Sequence, residues 1–83
     1  MLEKESEDLI NEIKKRIRRE LEVASLEVSG GSGHYRIRVV SLDFEGKTSV
    51  NRQRMVFSAL GDLIMGPSAP IHAVDQMETL TTE

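Results

Sequence analysis

The chain has 83 residues, enough for one domain whose single modest core buries about 60–65% of the surface exposed on unfolding. Hydrophobic content of 39% and charged content of 30% fit a globular domain and exclude a disordered tail, and the absence of cysteine excludes disulfides and any thiolate site within the chain. A net charge of −3 weighs against wholesale nucleic-acid binding, the acidic start Met1 to Glu5 predicts no leader, and no apolar run is long enough to predict a membrane span.

The first predicted element is a helix from about Glu7 to Glu20, capped by Ser6. Leu9, Ile10, Ile13, Ile17 and Leu21 recur at helical spacing and form one apolar stripe. Residues 1–13 sum to −4, whereas Lys14 to Arg19 carry five positive charges in six residues. Acids at a helix start and bases at its end both complement the macrodipole, which explains the asymmetry more simply than a phosphate-binding patch.

Ala24 to Val28 alternates with period two and predicts a strand. Ser29-Gly30-Gly31-Ser32-Gly33 predicts a turn, and His34 to Ser41 a second strand with Tyr35, Ile37 and Val39 on one side and Arg36 and Arg38 on the other. The two strands form an antiparallel hairpin. A loop, Leu42 to Lys47, leads to a second helix capped by Thr48 or Ser49, with Met55, Val56, Phe57, Leu60, Leu63 and Ile64 as its buried face. Met65 to Pro70 ends that helix, Ile71 to Met77 predicts a third strand, and the end from Glu78 is expected to fray, as are residues 1–5. The order is α-β-β-α-β, an α+β single domain over residues 1–83. Its sheet is a three-stranded mixed one, with the last two strands parallel and both helices on one face.

Three motifs are set aside on geometry. Gly46-Lys47-Thr48 stands where a phosphate-binding loop would be, but Ser41 occupies the position of its first glycine, and Asp43 and Glu45 would repel phosphate. Gly30-Gly31-Ser32-Gly33 matches a GXXG loop, yet joins two strands where that loop joins two helices. No serine sits in a nucleophile-elbow pattern and no carboxylate pair flanks a pocket, so a non-enzyme is expected. His34 and His72 each stand at the start of a predicted strand. With those strands parallel, both fall at one sheet edge, either as solvated strand-end residues or as two ligands to one metal. A metal there would still need ligands from a second molecule, because iron and zinc centres take about four.

The runs His34-Tyr35-Arg36-Ile37-Arg38-Val39-Val40-Ser41, Phe44-Glu45-Gly46-Lys47, Asn51-Arg52-Gln53-Arg54-Met55-Val56 and Ile71-His72-Ala73 occur in one order over nearly the whole chain. This set resembles the BolA-like family, whose fold is a class II KH-like α-β-β-α-β arrangement. The resemblance implies an adaptor that binds a monothiol glutaredoxin as a heterodimer and co-ligates a 2Fe-2S cluster, in cluster delivery or iron regulation inside the cell. It implies His72 as the principal ligand; the family's second ligand, a loop His or Cys, falls where this chain has Ser32, so either His34 takes its place or His72 is the one ligand this chain offers. The partner would bring its own cysteine and a glutathione thiol, and no cluster would be held by this chain alone, which by itself would be a monomer or weak homodimer. Arg52, Arg54 and Lys47 are candidate partner contacts. The alternative implied by the KH-like fold is a nucleic-acid-binding regulator using Lys47, Arg52 and Arg54 with Arg36 and Arg38.

Overall fold

The computed structural model of the chain describes residues 2–82, with the side chains of the first helix described from Glu7 onward. Met1 and Glu83, both expected to fray, lie outside the described residues. Helix α1 spans Leu2–Glu20, starting five residues before the predicted point, so Ser6 sits at a helical position and not at a cap. Glu and Lys are good helix formers, and acids in the first turns suit the macrodipole, which favours the longer helix. Its stripe is buried as expected: Ile13 and Ile17 are fully covered, Leu21 nearly so, and Leu9 and Ile10 pack at the margin.

Strand β1 spans Val23–Gly31 and pairs antiparallel with β2, His34–Ser41. The turn shrinks to Ser32 and Gly33, both at positive φ (54° and 84°), which is the geometry that lets a two-residue link follow the twist of its strands. Along β2, Tyr35, Ile37, Val39 and Ser41 are buried and His34 and Arg36 exposed, so one face of the sheet is covered and the other open.

Residues Leu42–Phe44 form a 3-10 turn that drives Phe44 fully into the core, although the pattern predicted only a loop. The buried Ser41 hydroxyl fixes this corner. It donates to the Glu22 carbonyl at 2.7 Å and accepts from the Asp43 amide at 3.0 Å. Helix α2 spans Ser49–Leu60, capped by Thr48, whose Oγ1 accepts from the Asn51 amide at 3.1 Å. It stops at Gly61, well before the predicted Met65, because Gly61 takes a positive φ of 53° that ends the helical ladder. A second 3-10 turn, Gly61–Leu63, keeps Leu63 buried; Met55, Phe57 and Ile64 are only partly covered, and Ala59 joins the core unforeseen.

Strand β3 spans Ala73–Leu80 and pairs parallel with β2, giving the sheet order β1-β2-β3. It starts two residues later than predicted and runs on through Thr79 and Leu80, which were expected to fray. These two pair with Val39 and Val40, so the sheet supplies an order that the polar sequence hides. One core unites α1, α2 and the covered face of the sheet, with Ile13, Ile17, Tyr35, Val39, Phe44, Val56 and Leu60 at its centre.

Candidate functional site

The start of β3 is tied to the hairpin turn. The Gly33 carbonyl accepts from the His72 amide at 2.8 Å and from the Ala73 amide at 3.0 Å, while Ile71, buried, donates its amide to the Leu63 carbonyl at 2.9 Å. The register sets His34 opposite Ala73. His34 therefore opens β2 and His72 immediately precedes β3, one residue out of step, at one corner of the sheet.

Each ring has its own support. His72 is exposed, and its ring rests over Gly33: a Cβ placed there would lie 2.8 Å from Cγ and 2.9 Å from Nδ1. Glycine is thus needed at 33 twice over, for its φ of 84° and for the space beneath the imidazole. His34, with its side chain 57% exposed on the open face, brings Nδ1 to 3.2 Å from Asp75 Oδ1. Ser32, where the resemblance led to expect a family cysteine, is exposed at the tip of the turn.

The donor set at this corner is two imidazoles and no thiolate. Among the described residues no group of three or more His, Cys, Asp or Glu side chains comes together in a metal-binding arrangement. Two exposed imidazoles are fewer donors than the roughly four that an iron or zinc centre takes.

The cations go elsewhere. Arg52 is turned to internal use: Nε donates to the Lys47 carbonyl and Nη1 to the Thr79 carbonyl, both at 3.0 Å, and the guanidinium stands 6.0 Å from the Phe44 ring centre. Lys47 and Arg54 line an open groove of about 580 Å³ between the end of α1 and α2, with Leu21 and Met55 among its other walls. Thr79 is six residues along β3 from Ala73, or roughly 20 Å at about 3.3 Å per residue, so the Lys47 and Arg52 end of the molecule is far from the histidine corner. Arg36 and Arg38 lie on the open sheet face, where Arg38 stands 3.8 Å from Glu27 and 3.5 Å from Glu78. The five cations do not share one surface.

Two residues of the corner escaped the sequence reading. Gly33 was visible only as a turn glycine, and its second role as the floor beneath His72 needs the third strand in place. Asp75 was visible only as one position of the predicted third strand, and nothing along the chain ties it to a residue 41 positions earlier.

Comparison with known proteins completes the picture. A structure of a bol-like protein from Babesia bovis has 34% identity, covers 87% of this chain and 83% of that one, and superposes with a TM-score of 0.73. A bolA protein homologue from Coxiella burnetii has 34% identity, coverage of 86% and 87%, and a TM-score of 0.65. The uncharacterized protein of the rpoN-murA intergenic region in Acinetobacter guillouiae is 41% identical over 51 residues, which is 61% of this chain and 59% of that relative's length. The family model for BolA-like protein matches residues 2–83. Because that match takes in the hairpin, α2 and the His72 corner together, in a fold shared with solved relatives, the chain belongs to the BolA-like family.

Proposed function

We propose that this BolA-like chain is an adaptor that docks a monothiol glutaredoxin and contributes nitrogen to a 2Fe-2S cluster held between the two proteins. His72 is the principal ligand and His34 the second. The glutaredoxin and its bound glutathione supply sulfur, which this chain cannot, having no cysteine.

The observation that carries the reading is the placement of His72. Its ring is exposed, its backbone is pinned to the hairpin through the Gly33 carbonyl, and the missing Cβ of Gly33 leaves the ring its place. A ligand whose position is set before its partner arrives loses less freedom on binding. Imidazole in place of thiolate makes a cluster less negative and raises its potential. The reading asks nothing of Lys47, Arg52 or Arg54 and makes delivery or regulation of iron–sulfur units, not turnover of a substrate, the role of the chain.

The test is to mix the chain with a glutathione-bound, cluster-loaded monothiol glutaredoxin and follow visible circular dichroism. Wild type should convert the glutaredoxin spectrum to that of a mixed nitrogen–sulfur site, and His72→Ala should leave it unconverted. Identical spectra for the two would remove His72 as a ligand.

A further inference from the structure

We infer that Asp75 is a positioning residue for His34, holding its imidazole with Nδ1 turned inward and Nε2 presented outward as the ligating nitrogen. This deepens the reading above and rests on it for the identity of what Nε2 meets.

The register is the first observation. β2 and β3 pair in step at His34 with Ala73 and Tyr35 with Val74, and then Arg36 pairs with Gln76. Asp75 is the residue left over, so β3 carries a bulge there. Bulges tend to stand beside functional sites, where they redirect a side chain. Here the bulge takes Asp75 out of the row opposite Arg36, its nearest natural counter-ion, and gives that row to Gln76. The neighbouring open-face carboxylates, Glu27 and Glu78, both stand near Arg38, whereas Asp75 meets His34.

The second observation is chemical. Asp75 Oδ1 lies 3.2 Å from His34 Nδ1. An ionised carboxylate only accepts hydrogen bonds, so Nδ1 is the donor and carries the proton of the neutral ring. The lone pair is then on Nε2, on the far side of the ring from Asp75. A ligating histidine held by a carboxylate in this way has its tautomer and ring orientation fixed and its ligand basicity raised. His34 and Asp75 side chains are 57% and 52% exposed, so Nε2 stays open to a partner. His72, by contrast, is placed by Gly33 and needs no carboxylate. The two ligands are thus positioned by independent devices, one steric and one hydrogen-bonded.

The experiment reads the tautomer of His34 in the chain alone, by long-range proton–nitrogen spectra with the imidazoles neutral, in wild type, Asp75→Asn and Asp75→Ala. The expected result is a protonated Nδ1 and bare Nε2 in wild type. Asp75→Asn, which keeps an acceptor oxygen, should retain that pattern in part. Asp75→Ala should lose it, with the two nitrogen shifts exchanging places, while His72 signals stay unchanged. A His34 tautomer indifferent to Asp75→Ala would overturn the inference. With cluster-loaded glutaredoxin, Asp75→Ala should shift the visible dichroism toward that of His34→Ala without abolishing it. A spectrum unmoved by both His34→Ala and Asp75→Ala would overturn the assignment of Nε2 as a ligand. If wild type forms no shared cluster but its tautomer still depends on Asp75, the glutaredoxin reading fails and the hold of Asp75 on His34 stands.

Discussion

A single hydrogen atom in place of a methyl group decides the geometry of residue 72. Gly33 has a φ of 84°, and an ideal Cβ there would come within 2.8 Å of His72 Cγ. Gly46 offers the control, because it too has a positive φ (78°) but nothing within 4 Å of the Cβ position. A left-handed conformation costs an L residue about 1–2 kcal/mol, so Gly46→Ala should destabilise by that amount alone. Gly33→Ala should cost more, since the same strain is joined by displacement of an imidazole whose ring root is the atom struck. Urea unfolding of the two variants measures the difference, and the Gly33→Ala chain should show displaced His72 ring resonances. Equal losses in the two variants would mean that His72 is not held over Gly33.

At the scale of elements, the contact of α1 with the end of α2 turns on Arg16. Nε donates to Glu12 one turn earlier at 2.9 Å, while Nη1 donates to Asp62 at 2.7 Å and to the carbonyl of Leu60, the last residue of α2, at 3.3 Å. A long side chain thus satisfies a helix end that Gly61 has cut short. The hydrogen bond from the Arg16 guanidinium, helped by its charge, holds the Asp62 carboxyl below its ordinary 3.8. A carboxylate with a depressed folded-state pKa contributes stability above its unfolded value, and that contribution is lost as pH falls through the folded one. Asp62→Asn should therefore lower the urea midpoint at neutral pH, and the gap to wild type should close as the pH drops below 3.8. Arg16→Ala should lower it further at neutral pH, because the Leu60 carbonyl also loses its donor. A gap between wild type and Asp62→Asn that persists in acid would refute the ion-pair origin.

Elements were legible in the sequence wherever one period dominated. The stripe Ile13, Ile17, Leu21 and the alternation Tyr35, Ile37, Val39 each mark a face with no reference to the rest of the chain. What was missed depends on partners distant in sequence. Thr79 and Leu80 are strand because Val39 and Val40 lie beside them, and Phe44 is core because the Ser41 and Asp43 hydrogen bond turns the chain inward. Gly61 is itself a stop signal along the chain, but a lone glycine is a weaker one than the Gly-Pro cluster beyond it. At the site, both histidines could be placed at one edge from strand order, but Asp75 could not, because a bulge is a property of two strands in register and not of either alone. The tie of Arg52 to the Thr79 carbonyl is hidden for the same reason.

For the molecule as a whole, the decisive feature is that α1, α2 and the sheet share one core. At about 0.05–0.15 kcal/mol per residue, a chain of this size has a total stability of roughly 4–12 kcal/mol, too little to divide between independently folding parts. The single tyrosine makes this measurable. The chain has one Tyr and no Trp, and Tyr35 is buried at 2% exposure on β2, so its fluorescence reports the sheet core while far-ultraviolet dichroism is weighted to the helices. The two probes should give one urea midpoint. Ile17→Val, on α1 and fully buried, should cost about 0.5–1.5 kcal/mol and move both midpoints together, although the change lies on the helix and one probe lies on the strand. If the dichroism midpoint moved while the Tyr35 midpoint stayed, α1 would be an accessory that peels away from a self-sufficient sheet, and the histidine corner could not rely on it for rigidity.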